Sequence, residues 1–530
     1  MPIQHRLNTR WILAVATSAS SLIALCFAAI ASAGDERPNI LFCISDDQSW
    51  QHTGANGDPV VQTPAFERVA REGIRFTNPY CDAPTCGPSR SAILSGQSIW
   101  RLEQAANIHS TLPTKFALYT ELLEKAGYNV GSTGKGWGPG PLDPVGRTIN
   151  PAGKKYLGRT LEKKLWPQIV DIDYAANFED FLAQHLEDKP FCFWLGTYEP
   201  RRGYKEGSGV AAGMDPESVV VPPIFPDTDL VRSDILDYYV EVEHYDKMVE
   251  RAIHSLEKRG LLENTIIVVT SDHGMPFPRA KATLYDAGTK VPLAIRWPKG
   301  IRNPGRVYDG FVNLSDLAPT FLEAAGVQVP QMMTGRSLIP VFQNKASADR
   351  PAAFIAMERH DGCREGDKGY PMRAMRADDY LYIINFEPGR WPAGDPDKEN
   401  CARYIPFGEV DPAPTKTFMM ESRDQYRNLY DLAFAKRPAV ELYDIAKDPG
   451  QMNSVAGDPR YASIRKRLDK QLRDHLIKTE DPRLTGEPVL WDYYPYYGKL
   501  KTHEGKKKRE KDWAVAPIPS ELAKYLPRDP

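Results

Sequence analysis

Cysteine is scarce in this chain, with seven in 530 residues. That count excludes a dense disulfide scaffold, and no spacing among the seven resembles a zinc site. Charge of one sign is lacking as well. The 67 Lys and Arg nearly balance 69 Asp and Glu, for a formal net charge of -2, so no electrostatic footprint for nucleic acid exists. Internal repeats are absent. No long apolar run follows residue 33. The one before it, Trp11 to Ile30, comes after Arg6 and Arg10, is broken by Thr17, Ser18, Ser20 and Ser21, and ends at Ala31-Ser32-Ala33. This is the pattern of a signal peptide over 1–33 cleaved near Ala33, and it predicts a secreted or periplasmic protein with no stable membrane insertion. A membrane anchor is the alternative. Leu25 spoils a lipobox at Cys26.

What is present supports a large core. Hydrophobic residues make up 42% of the chain, enough for two domains. Near-continuous apolar runs at Asn39–Ser45, Phe191–Thr197, Thr265–Ser271 and Val291–Arg296 read as buried strands of a parallel sheet covered on both faces. Helical periods lie between them at Thr63–Glu72, Ala117–Ala126 and Leu230–Lys258. The alternation predicts an α/β sandwich with right-handed crossovers over 34–370. From about Tyr370 the character changes. Arg373–Phe386 and Glu441–Asp444 read as antiparallel strands, followed by an amphipathic helix over Tyr461–Lys478. These predict a smaller α+β domain over 371–481, and the Pro-, Tyr- and Lys-rich stretch 482–530 reads as an extended tail with a solvated charge run at Gly505–Lys511. Cys43 and Cys192 fall in strand-like runs and read as buried thiols, leaving Cys81, Cys363 and Cys401 outside any motif.

Chemistry in an α/β sheet collects at the carboxyl ends of its strands. Asp46-Asp47 follow one predicted strand directly, and Asp272-His273 follow another. Three carboxylates converging on one point repel strongly, so a divalent cation is the physical implication, with His273 beside them as a nitrogen donor. Taken singly, each Asp pair also reads as a helix cap. A second feature is Cys86-Gly87-Pro88-Ser89-Arg90, continuing Ser91-Ala92-Ile93-Leu94-Ser95-Gly96. Pro88 suits the first turn of a helix. Cys86 would then stand at a helix N-terminus, where free N–H groups favour an anion, with Arg90 one turn along. A buried turn closed by a Cys81–Cys86 disulfide is the bland reading.

These two features together resemble the sulfatase family, whose maturation enzymes read Cys-x-Pro-Ser-Arg. The resemblance covers most of 37–480 and runs most strongly to the N-sulfoglucosamine sulfohydrolase (heparan N-sulfatase) branch, through Asp272–Pro278, Leu284-Tyr285, Tyr370–Arg373 and Glu441–Asp444 leading to Asp448-Pro449. It implies an alkaline-phosphatase-like sandwich with a mostly parallel central sheet. It implies that a formylglycine-generating maturation enzyme oxidises Cys86 to 3-oxoalanine (formylglycine), whose hydrate is the nucleophile. It implies Asp46, Asp47, Cys86, Asp272 and His273 as the metal set, with Ca2+ expected and Mg2+ or Mn2+ left open. Gly127–Lys135 resembles the family's second signature, which makes Lys135 face the sulfate. Lys281 matches its second active-site lysine. Catalytic roles thus fall to Cys86, Arg90, Lys135, Lys281 and Asp272.

The leaving group needs a proton, and here the chain departs from the family. Trp137 stands where many relatives have a histidine, and Tyr198-Glu199-Pro200-Arg201-Arg202 replaces a His-Glu-Pro-His-Arg segment. His360 is the expected substitute, with His109, Glu199 or a lysine as alternatives. Glu199, Arg201, Arg359 and Arg373 are expected to line a sugar pocket, against the bland reading of surface loops. The expected substrate is a sulfated glycan, first the N-sulfate of heparan-type glucosamine. An O-sulfated polysaccharide such as an algal one, a phosphate or phosphonate monoester, and a non-catalytic glycan-binding role remain open.

Overall fold

The computed structural model describes residues 37–184, 189–345, 350–498 and 518–526. The expected signal segment, Cys26 and the Gly505–Lys511 cluster lie outside them. Among the described residues, no helix is long and apolar enough to cross a membrane.

Eight strands form one sheet: β1 (Asn39–Ser45), β2 (Ile74–Tyr80), β3 (Asn129–Gly134), β4 (Lys154–Lys155), β5 (Phe191–Gly196), β6 (Thr265–Ser271), β7 (Leu293–Arg296) and β8 (Arg306–Asn313), in the order β4-β3-β5-β1-β6-β7-β2-β8. β1 is central and parallel to both neighbours. The near-continuous apolar character of β1, β5 and β6 follows, since every one of their residues is buried. Alternate residues serve the two faces. Ile40, Phe42 and Ile44 pack with Ile93, Tyr119 and Phe321, whereas Leu41 and Cys43 pack with Phe66, Phe178 and Val249. The covering elements include helices α1 (Pro64–Glu72), α2 (Cys86–Ser95), α3 (Tyr119–Lys125), α4 (Tyr174–Gln184) and α5 (Asp229–Lys258). The run at Val291–Arg296 is a strand as expected, but it pairs antiparallel with both β6 and β2.

A second sheet, order β12-β11-β10-β9, is wholly antiparallel: β9 (Ala352–Met357), β10 (Met372–Ala377), β11 (Tyr380–Asn385) and β12 (Val440–Asp444). It begins at Ala352, ahead of the composition change near Tyr370, because β9 is apolar like the strands of the first sheet. One face takes Leu468, Leu472 and Leu476 of helix α6 (Ala462–Lys478); the other packs on Tyr80, Leu284 and Tyr285. The connection from β11 to β12 is long and crosses back to α5, where Phe407, Val410, Met419 and Phe434 meet Val231, Ile235 and Tyr238.

The stretch after Pro482 is not a free tail as far as 498. Trp491 and Tyr494 are buried. Trp491 donates its indole N–H to the Glu103 carbonyl at 3.0 Å, and Arg359 donates to the Tyr494 carbonyl at 2.9 Å. Aromatic side chains with a polar handle explain the docking, which composition alone does not reveal.

Candidate active site

Strand register assembles the site. Ser45 of β1 is level with Ser271 of β6, Ile44 with Gly196 of β5, and Gly134 of β3 with Gly196. The residues that follow therefore emerge together at one sheet edge: Asp46-Asp47, Asp272-His273, Lys135 and the segment from Thr197. Side chains and backbone lock these turns to one another. Gln48 N–H donates to Ser271 Oγ at 2.8 Å, Asp47 N–H to Asp272 Oδ1 at 3.1 Å, and Asp46 N–H to the Glu199 carbonyl at 3.0 Å. Asp47 is held at φ 76°, a left-handed conformation that a non-glycine residue adopts only under such constraint.

Opposite this edge, α2 begins at Cys86, with every residue of the helix buried. Its last turn closes at Gly96, φ 63°, whose N–H reaches the Ala92 carbonyl. Ser89 Oγ donates to the Asp272 carbonyl at 2.6 Å and ties the helix to the end of β6. Cys86 Sγ stands 3.3 Å from Asp46 Oδ1 and 3.3 Å from His273 Nε2. Asp46, Asp47, Cys86 and His273 thus offer four ligand atoms within 4.8 Å of one another, all buried. Cys81, Cys86 and the other described cysteines carry separate thiols, so the disulfide reading of the Cys86 turn falls.

The donor set fits a cation. Asp47 Oδ1 is buried with no hydrogen-bond donor suitably aligned, although His273 Nε2 lies 2.9 Å away. Burial lowers the His273 imidazole pKa, yet Asp272 and Asp47 overturn this and raise it well above the ordinary range. The pocket therefore demands positive charge, and a proton on His273 or a divalent ion meets the same demand. Asp272 sits at the rim of this cluster. Its Oδ2 takes Arg90 Nε at 2.8 Å, its Oδ1 takes the Asp47 N–H, and Oδ1 is 3.7 Å from His273 Nε2.

Cations surround the acids. Lys135 Nζ is 2.5 Å from Asp46 Oδ2, and Lys281 Nζ is 2.8 Å from Asp47 Oδ2. Burial raises the Asp46 carboxyl pKa, but Lys135, Arg90 and Arg201 together hold it well below the usual range. Arg201 is exposed, and its charge is felt by Asp46, Cys86, Asp47 and Asp411. Arg90 differs from expectation. Its guanidinium is fully buried and spends its donors on Asp272 and on the Lys135 and Gly136 carbonyls, so it braces Asp272 from below and has no fork to offer a sulfate.

Three expected sugar-lining residues are also corrected. Glu199 points its carboxylate at Tyr174 OH (2.8 Å) and Val170 N (2.9 Å), fixing the turn that positions Asp46. Arg359 is buried on Asp367 at 2.9 Å, and Arg373 on Asp481 and Glu358 at 2.6 and 2.7 Å. Both arginines form internal ion pairs, because a buried guanidinium must satisfy its donors within the protein. His360 is buried and bonded through Nδ1 to Glu409 Oε2 at 2.5 Å. Its neighbourhood meets the nucleophile's. Ile108 N–H donates to the Arg359 carbonyl at 3.2 Å, and Ile108 Cα is 3.8 Å from where a β-carbon on Gly87 would stand.

Two acids escaped the sequence reading. Asp411 takes Lys281 Nζ at 3.0 Å and Arg403 Nη2 at 2.9 Å, and Glu409 takes His360 and Arg364. Both sit in the β11–β12 connection, far along the chain from every motif, in a local sequence that says only "polar loop".

A family model described as Sulfatase matches residues 38–327, and one described as N-sulphoglucosamine sulphohydrolase, C-terminal, matches 274–388. An ulvan-active sulfatase of Formosa agariphila is 27% identical, over 83% of this chain and 80% of its own length. Homo sapiens N-sulphoglucosamine sulphohydrolase is also 27% identical, over 84% of this chain and 91% of its own. A protein solved in complex with its substrate D-glucosamine-2-N,6-O-disulfate has the same fold, with TM-score 0.62 and 21% identity over 84% of this chain and 98% of that one. The fold is the alkaline-phosphatase-like sandwich that the sheet order describes. With a Cys-Gly-Pro-Ser-Arg helix start set on a cluster of acids and lysines, the chain belongs to the sulfatase family, hydrolases of sulfate esters or sulfamates.

Proposed function

We propose that this protein is a secreted sulfatase that removes the N-sulfate of a heparan-type glucosamine, with formylglycine at position 86 and a bound divalent metal, expected to be calcium. The observation that carries the chemistry is the convergence of Asp46, Asp47, Cys86 and His273 within 4.8 Å at a helix N-terminus, flanked by Lys135 and Lys281. The match of residues 274–388 to the N-sulphoglucosamine sulphohydrolase C-terminal model supports the N-sulfate.

Asp46, Asp47, residue 86 and His273 would hold the metal, whose chemistry is to bind and polarise a sulfate oxygen. Oxidation of Cys86 by a separate maturation enzyme, which brings its own oxidant, would supply an aldehyde hydrate for attack on sulfur. The remaining work belongs to the side chains. Lys135 and Lys281, buried and already paired with the metal-site acids, place fixed positive charge where the departing SO3 group gathers negative charge. Asp272, oriented by Arg90, is the base for the hydrate hydroxyl. Arg201 binds an anionic substituent of the sugar. His360 gives the proton that lets the amine leave.

Sulfate release from N-sulfated against 6-O-sulfated glucosamine tests the substrate. Faster release from the N-sulfated sugar is expected; release from the O-sulfated sugar alone overturns the N-sulfate assignment. A second reading, O-sulfate removal from an algal polysaccharide, is favoured by the equal identity of the ulvan-active relative.

A further inference from the structure

Three positions where relatives carry a histidine hold Trp137, Tyr198 and Arg201 in this chain, and none of them offers an imidazole. Trp137 donates its indole N–H to Ser91 Oγ at 2.8 Å and is buried. Tyr198 packs among apolar side chains behind β5. The proton must come from elsewhere. Seven histidines are described: His273 belongs to the metal cluster, His254 is exposed on α5, and His52 is bonded to the Tyr238 hydroxyl. His244 and His475 belong to α5 and α6. His109 lies next to Ile108, but its ring meets the Tyr496 ring, and burial pushes its pKa down to about 4. Outside the metal cluster, His360 is the described histidine that is both buried and bonded to a carboxylate.

That carboxylate is rigidly held. Glu409 is buried; its Oε1 takes Arg364 Nη1 at 2.6 Å, and its Oε2 takes His360 Nδ1 at 2.5 Å and the Asp361 N–H at 3.0 Å. The turn it holds is wired to the sulfate site along two routes. One runs from Arg359 through Ile108 to Gly87. The other runs from Asp361 through Arg403 (3.4 Å) and Asp411 to Lys281 and Asp47. A carboxylate that accepts from Nδ1 fixes the imidazole tautomer and leaves Nε2 as the nitrogen that exchanges protons.

We propose that Glu409 is the positioning residue of the proton donor, holding His360 so that Nε2 delivers a proton to the leaving nitrogen or oxygen of the substrate. This rests on the sulfatase reading above. In the step, the S–N or S–O bond breaks and its electron pair stays on the leaving atom. That atom takes the proton from Nε2 of the imidazolium, and the imidazole remains neutral with its Nδ1–H on Glu409. Water restores the proton afterwards.

The test compares substrates that differ in their need for a proton. A nitrophenyl sulfate expels a stabilised phenolate unaided, whereas N-sulfoglucosamine expels an amine that must be protonated. Measured as kcat, Glu409→Gln is expected to lower sugar turnover at least about tenfold more than aryl sulfate turnover, and His360→Gln by about 10²–10⁴ more, with KM for the sugar changing little. His360→Gln leaves Glu409 its bonds to Arg364 and Asp361, so it reports the same split if Glu409→Gln folds poorly. Equal losses on both substrates, or none, overturn the dyad while leaving the sulfatase reading intact. A wild-type enzyme that releases sulfate from neither substrate overturns both.

Discussion

At the scale of single residues, the site is a charge-balancing problem solved by burial. Asp46 faces Lys135, and Asp47 faces Lys281 and His273, so removing a cation leaves a buried anion short of compensation. Lys135→Ala and Lys281→Ala are each expected to lower kcat about 10²–10³-fold, measured as sulfate release. Lys281 is clamped between Asp47 and Asp411, so Asp411→Ala is expected to lower kcat in the same direction by a smaller factor. Glu409 adds a pH dependence of stability. Burial raises its pKa, but Arg364 and His360 hold it down to about 2, against an ordinary carboxyl value near 4.5. A folded value below the unfolded one means that its contribution, on the order of 3 kcal/mol, is present above about pH 4.5 and fades as pH falls toward 2. Urea unfolding of wild type and Glu409→Gln is expected to give a difference at pH 7 that shrinks by pH 3; a constant difference contradicts the assignment.

At the scale of elements, much was legible. The strands Asn39–Ser45 and Thr265–Ser271 announce themselves by length and β-branched content, and their carboxyl ends carry the acids, so the cluster of candidate ligands follows from the sheet rule once register is known. Pro88 in the first turn marks the start of α2 from sequence alone, whereas its end at Gly96 comes from the structure. Antiparallel insertion of β7 was not legible, because direction leaves no trace in hydrophobic pattern. Nor was the inward turn of Arg90, Arg359 and Arg373. Their partners Asp272, Asp367 and Asp481 are fixed by tertiary packing, and an arginine in isolation reads the same whether it meets substrate or an internal carboxylate. Helix α6 closes the outer face of the second sheet through Leu468, Leu472 and Leu476. Leu472→Ala is expected to destabilise by about 2–5 kcal/mol, read from the unfolding midpoint.

At the scale of the whole molecule, the second sheet meets the candidate site through the connection between β11 and β12, whose Asp411 pairs with Lys281. That connection packs on α5 by Phe407, Val410 and Phe434, delivers Asp411 to Lys281 beyond the carboxyl end of β6, and delivers Glu409 to His360 in the loop after β9. Sequence reading recognised an α/β part and a smaller α+β part but set the change near Tyr370, after β9 of the second sheet. It missed their mutual dependence, because the acids concerned lie in a loop whose composition is unremarkable. The segment 482–498, which packs over Glu103 and Arg359, adds a third layer to the same region.

The account depends on position 86 bearing an aldehyde rather than a thiol when the enzyme is active. The decisive measurement is the mass of the peptide that ends at Arg90, taken from material that releases sulfate. The account predicts the mass of formylglycine, in its free or hydrated form, at residue 86, and no sulfate release from Cys86→Ala. An unmodified cysteine in fully active protein would contradict it.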